Sequence, residues 1–162
     1  MNMENLLKEL CLLNGISGDE GCVRSYIIEK IKDNCEYTID PLGNIIAFKK
    51  GISRPANKLM ISAHMDEVGM IVTSVKDDGT LTVSAVGGVD AGVVIGRKVK
   101  VGADGIQGVI GAKAVHNLSA DEKNKAVSMS SLYVDIGAES REEAEKYVTP
   151  GDSVHFDSEY VT

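Results

Sequence analysis

Leu59-Met60-Ile61-Ser62-Ala63-His64-Met65-Asp66-Glu67-Val68-Gly69 is the stretch on which the fold turns. Its first five residues form a short apolar run of the kind found in strands covered on both faces, and such a strand needs helices on either side of its sheet. His64-Met65-Asp66 follows directly, at the edge where open α/β sheets place ligand sites. In extended backbone His64 and Asp66 point to the same side, so one imidazole nitrogen can bind a metal while the carboxylate orients the ring. That pairing suits zinc, cobalt or manganese. A His-x-Asp triplet is equally compatible with a satisfied histidine beside a strand-end carboxylate, and a catalytic metal needs at least three protein ligands.

Toward the N-terminus the apolar spacing is helical. Leu6, Leu10 and Leu13 share one face of a predicted helix over residues 3–14, with Asn2 as N-cap and Gly15 just past its end. Ser17-Gly18-Asp19-Glu20 has the form of a capping box, and Val23, Ile27 and Ile31 then recur at four-residue spacing, which predicts a second helix to about residue 33. The period then changes to two. Tyr37–Asp40 and Asn44–Phe48 read as a hairpin joined by Pro41-Leu42-Gly43, and residues 51–57, with Pro55, read as a loop.

Beyond Gly69 helical signals nearly vanish. Residues 70–75, the alternating Leu81, Val83 and Ala85, then 98–101, 106–110, 132–136 and 153–156 read as short glycine-bounded strands of a small barrel or sandwich. Asp77-Asp78-Gly79-Thr80 is hairpin turn chemistry rather than a calcium loop, because no spaced carboxylates follow. Ser140-Arg141-Glu142-Glu143 is a second capping box, opening one short helix to about Tyr147. The fold class is therefore mixed α/β: a helix-rich segment over 1–68, then a β-rich one over 69–162. Two helices and about three strands leave a sheet uncovered, so residues 1–68 are expected to belong to a larger α/β domain into which the β-rich part is inserted.

Seventeen basic against 24 acidic residues give a net charge of −7, with the acids scattered rather than clustered, so nucleic acid is not an expected partner. No apolar run approaches the roughly 18 residues of a membrane span, and the first residues lack the pattern of a secretory signal, so a cytoplasmic location is expected. Cys11, Cys22 and Cys35 are an odd set, and the first two fall in helical patterns where free cysteines are expected to be buried. Asn117-Leu118-Ser119 matches a glycosylation acceptor by letter only. His116, in a polar loop, could line a cleft or a subunit contact, or simply face solvent. His155 lies between Val154 and Phe156, and alternation predicts it exposed on the opposite face. Gly87-Gly88 lacks the spacing of a phosphate-binding loop, and no nucleophile elbow occurs.

The order and spacing of several segments carry a resemblance. Gly15-Ile16-Ser17-Gly18-Asp19-Glu20, Asp40-Pro41-Leu42-Gly43-Asn44, Ala63-His64-Met65-Asp66-Glu67-Val68-Gly69, Val86-Gly87-Gly88, Gly108-Val109-Ile110-Gly111 and Asp135-Ile136-Gly137-Ala138 together span nearly the whole chain. In this order the chain resembles the cytosolic glutamyl and leucyl aminopeptidases of the tetrahedral-assembly type, some of which are labelled endoglucanases. The resemblance implies a catalytic α/β domain with two divalent metal ions, zinc or cobalt, and a β-rich dimerisation domain inserted after the first metal-binding strand. It implies that His64 ligates one ion and that Asp66 acts catalytically by orienting His64 and tuning its basicity. Peptide substrates and a homo-oligomer assembled through the β-rich domain, a dodecamer of dimers in the complete enzymes, are further expectations.

The family's bridging aspartate, its glutamate pair and its last acidic and histidine ligands lie after the dimerisation domain. The 162 residues are thus expected to be an N-terminal portion that by itself holds no ion tightly and has no peptidase activity. A free-standing oligomerisation or binding module is the alternative outside catalysis. Glycoside hydrolysis is a further one, although no retaining or inverting carboxylate pair is discernible and the chain has no tryptophan.

Overall fold

A computed structural model describes residues 2–53, 56–114, 116 and 126–161. The chain divides into two compact units, residues 1–66 and 67–162. Among the described residues no helix is long and apolar enough to cross a membrane.

The first unit holds α1 (Met3–Cys11), α2 (Gly21–Ile31), β1 (Glu36–Ile39) and β2 (Ile45–Phe48). Asn2 caps α1 as expected, its side chain accepting from the Glu4 amide at 3.1 Å. The two helices are tied by Glu9, whose carboxylate accepts from the Tyr26 hydroxyl and, at 3.0 Å, from Lys30 Nζ. Among the described residues antiparallel β1 and β2 pair only with each other, Ile39 opposite Ile45 and Glu36 opposite Phe48. In the turn between them Asp40 Oδ1 accepts from the amides of Leu42 and Asn44 at 3.0 and 2.9 Å. The anticipated hairpin chemistry is therefore present.

Three expectations for this unit fail. Leu59–Ala63 is not a strand, and Leu59, Met60 and Ile61 are 88%, 87% and 86% exposed. Apolar composition records a tendency to be buried, but a strand also requires a neighbour with free backbone groups, and no described strand pairs with this run. Ser17 does not cap α2: the N-cap is Glu20, which makes no side-chain cap bond, and Glu20 Oε1 instead accepts from the Gly18 amide at 2.7 Å. Cys11 and Cys22 are exposed free thiols, because in a unit whose described apolar core is only Ile16 and Val23 the helix flanks stay wet.

The second unit is a closed antiparallel barrel of β3 (Gly69–Val75), β4 (Leu81–Val86), β5 (Lys98–Val101), β6 (Ile106–Ala112), β7 (Leu132–Asp135) and β8 (Ser153–Phe156), in the order β3-β4-β7-β6-β5-β8. Closure leaves none of these strands as a free edge. Its interior is built from alternate residues: Leu81 and Val83, Val99 and Val101, Ile110, Leu132 and Val134, and Val154. In β3 the buried set is Met70, Val72 and then Val75, a change of phase explained by the one-residue bulge at Thr73 between the pairs Val72–Val83 and Ser74–Thr82. A bulge of this kind bends the strand and helps the sheet to close.

Among the described residues this unit also carries two short α-helices and a 3-10 turn at Met129–Ser131. Asp90 caps α3 (Ala91–Val94), which alternation alone does not predict, by accepting from the Gly92 amide at 2.8 Å. Ser140 caps α4 (Arg141–Ala144) by accepting from the Glu143 amide at 3.3 Å, while Glu143 Oε2 accepts from the Glu139 amide. Arg141 donates through Nε and Nη2 to Asp77 Oδ1 at 3.0 and 2.8 Å, which fixes α4 to the β3–β4 turn. At that turn Gly79 has φ +82°, and a Cβ there would lie 2.4 Å from the Ala138 carbonyl oxygen. Gly79→Ala should therefore cost about 1–3 kcal/mol, measurable as a lower denaturant midpoint; an unchanged midpoint would show that the turn can relax.

Candidate metal-ligand site

His64 sits on irregular backbone just before the end of the first unit, its side chain 84% exposed. Its Nδ1 lies 2.9 Å from the Asp66 backbone carbonyl oxygen and 3.1 Å from Asp66 Oδ1. Both partners are acceptors only, so in the neutral ring Nδ1 carries the proton and donates it. Nε2 is then the lone-pair nitrogen of a largely exposed ring. A metal-ligating histidine requires this division of roles.

Asp66 is held from its other side. The Ser17 hydroxyl donates to Asp66 Oδ2, so the carboxylate bridges Ser17 and His64. Chiefly through the Ser17 hydrogen bond, and further through His64, the Asp66 carboxyl is kept below the usual aspartate range. Packing brings the serine there. Gly15 lies so close to Val23 that a Cβ on it would be 2.6 Å from a Val23 methyl and 3.7 Å from the Met65 carbonyl oxygen. Gly18, with φ +92°, then reverses the chain immediately after Ser17.

Residues 59–66 thus bring together the two side chains singled out from the sequence, and Ser17 is a third that the sequence reading assigned to helix capping. The other histidines lie elsewhere. His116 is exposed, and most of the loop that follows it, including Asn117-Leu118-Ser119, lies outside the described residues. His155 is 2% exposed, contrary to expectation: Val154, pointing into the barrel, and His155, on the other face of β8, are both buried. Alternation predicts an exposed histidine only if one face of the strand is wet, and here neither is. Its Nε2 is 3.0 Å from Ser153 Oγ, and its Nδ1 is 3.9 Å from Glu67 Oε1.

Among the described residues no cluster of three or more histidine, cysteine, aspartate or glutamate side chains is placed to hold an ion. Among the described residues the donors suit one ligand position, at His64 Nε2 beside the Asp66 carboxylate, and do not assemble a complete two-ion site.

The family profile described as M42 glutamyl aminopeptidase matches residues 43–162. A lysyl aminopeptidase of Pyrococcus furiosus is 36% identical over 146 residues, which cover 87% of this chain and 41% of that enzyme. The chain spans less than half the length of the curated relatives it matches. A TET aminopeptidase from the marine sediment archaeon Thaumarchaeota archaeon SCGC AB-539-E09 superposes with a TM-score of 0.90 at 34% identity, over 99% of this chain and 46% of that one. The TET1 peptidase of Pyrococcus horikoshii, described as assembling into a tetrahedron or a large octahedral shell, gives 0.83 at 38% identity, over 99% of this chain and 48% of that one.

Proposed function

The chain belongs to the M42 glutamyl aminopeptidase family, and from that membership we propose that it serves in a metal-dependent aminopeptidase that removes N-terminal residues from peptides. His64 supplies one ligand to one of two divalent ions, zinc or cobalt, and Asp66 fixes its ring. Bound ions in such a site activate a water and polarise the scissile carbonyl. The part played by these residues is to present Nε2 with its lone pair free and to hold Nδ1–H on Asp66. The observation carrying this reading is the Nδ1 environment of two acceptors, 2.9 and 3.1 Å away, on a ring 84% exposed.

On the same reading residues 1–68 are the N-terminal part of the catalytic α/β domain. Residues 69–162 are the β-rich dimerisation domain with the start of the return to the catalytic domain. The remaining ligands come from sequence that follows the barrel in the family. Homo-oligomerisation through the barrel, as a dodecamer built of dimers, and a cytoplasmic setting belong to the same proposal.

The test is hydrolysis of short peptides by the complete protein. Chelation should abolish release of the N-terminal residue, added zinc or cobalt should restore it, and N-acetylated peptides should resist cleavage. Chelator-insensitive hydrolysis, or equal cleavage of blocked peptides, would overturn the reading. A second reading, a self-associating module, draws on the closed core of the barrel; concentration-dependent assembly without metal-dependent hydrolysis would favour it.

A further inference from the structure

We infer that Ser17 is a positioning residue for the metal-ligand histidine: its hydroxyl clamps the Asp66 carboxylate so that His64 is held in the Nδ1–H tautomer with Nε2 free to bind a divalent ion. The inference rests on the aminopeptidase reading of His64 and extends it to a side chain outside the His-x-Asp triplet.

Ser17 is where local chemistry and observed structure part. Its spacing to Glu20 fits a capping box, and serine is among the best N-caps. Yet α2 begins at Gly21, its N-cap makes no side-chain bond to the amides of the first turn, and the Ser17 hydroxyl is directed 49 residues along the chain to Asp66 Oδ2. Departures from a strong local preference concentrate at functional sites. The turn is built to permit this one: Asp19 N–H donates to the Ile16 carbonyl at 2.8 Å, Glu20 holds the Gly18 amide at 2.7 Å, and Gly18 takes φ +92°. Glu20 thereby stabilises the turn without the hydroxyl, which is left for the carboxylate.

The physical consequence follows from rotation about the Asp66 side chain. A carboxylate bonded only to His64 can turn its second oxygen to water or swing away from the ring. Bonding Oδ2 to Ser17 while Oδ1 faces Nδ1 at 3.1 Å removes that freedom. The backbone carbonyl of Asp66, 2.9 Å from Nδ1, also favours the same tautomer. The experiment must therefore separate the contribution of the clamp from that of the carbonyl.

The chain has three histidines, which suits nitrogen NMR of the rings in ¹⁵N-labelled, metal-free protein at mildly alkaline pH, where unperturbed rings are neutral. The unsubstituted chain should show His64 with a protonated Nδ1 and a bare Nε2. In Ser17→Ala the two His64 shifts should move toward each other as the tautomers mix, Ser17→Thr should restore the original pair, and His155 should stay unchanged as a reporter of the barrel. If Ser17→Ala fails to fold, Ser17→Cys keeps nearly the same volume with a weaker donor and should give a smaller shift in the same direction. A folded Ser17→Ala or Ser17→Cys chain with unaltered His64 shifts would overturn the inference and show that Asp66 orients the ring without the clamp.

In the complete protein Ser17→Ala should lower affinity for zinc by about 10–100-fold, again with recovery in Ser17→Thr; unchanged affinity would also overturn it. Should the complete protein bind no zinc at all, the aminopeptidase reading fails, whereas the metal-free tautomer measurement still decides the role of Ser17.

Discussion

Replacing Leu81 by alanine is expected to destabilise the barrel by about 2–5 kcal/mol. Leu81 is fully buried, opens β4, and stands opposite Val75 of β3 on one side and Val134 of β7 on the other. It is the residue at which β4 engages both neighbours, and the register to β7 is recorded at this pair. Truncation removes apolar surface from the core and leaves a cavity that three paired strands cannot readily collapse around. Against the roughly 5–15 kcal/mol typical of a folded protein this is a large share. Denaturant unfolding should show the loss as a fall in midpoint, whereas Val93→Ala, at a position 66% exposed, should stay within about 0.5 kcal/mol. Equal effects at the two positions would mean that the barrel interior is not the source of stability.

Substituting His64 by alanine should affect function and spare stability. Its side chain is 84% exposed, and no buried contact is lost, so the melting curve should hardly move. In the complete protein, metal-dependent peptide hydrolysis should fall by more than the roughly 100-fold upper range seen when outer partners of a ligand are removed. Asp66→Asn, which keeps the shape but weakens the acceptor facing Nδ1, should fall within that range. If His64→Ala retains near-normal hydrolysis, His64 is not a ligand and the assignment of Asp66 falls with it.

Much of the barrel was legible because its signals are local. Period-two alternation marked β4, short glycine-bounded apolar segments marked β5 and its fellows, and Asp77-Asp78-Gly79-Thr80 marked the hairpin turn. What failed depended on partners distant in sequence. The run Leu59–Ala63 read correctly as apolar, but composition cannot say which strands will pair with it. The exposure of His155 was inferred from its alternation with Val154, a rule that presupposes one wet face. Helix α3 is a single turn, too short to show a 3.6-residue period, although Asp90 followed by Gly92 held the cap that forms it.

At the candidate site the division is similar. The meeting of His64 with Asp66 follows from two-residue spacing and could be anticipated from neighbours in the chain. Ser17 could not, because its nearest good role, capping with Glu20, is satisfied on paper, and only folding brings Asp66 within reach of its hydroxyl. The available signal was the glycine pair Gly15 and Gly18 flanking it: one sits where a Cβ would strike Val23, the other takes a left-handed backbone.

Anomalous diffraction from crystals of the complete protein loaded with zinc tests the central claim most directly. The account predicts a zinc peak roughly 2.0–2.1 Å from His64 Nε2, with Nδ1 still directed at Asp66 and Ser17 still on the far oxygen of that carboxylate. Zinc bound elsewhere, with the His64 ring turned away and unligated, would contradict it.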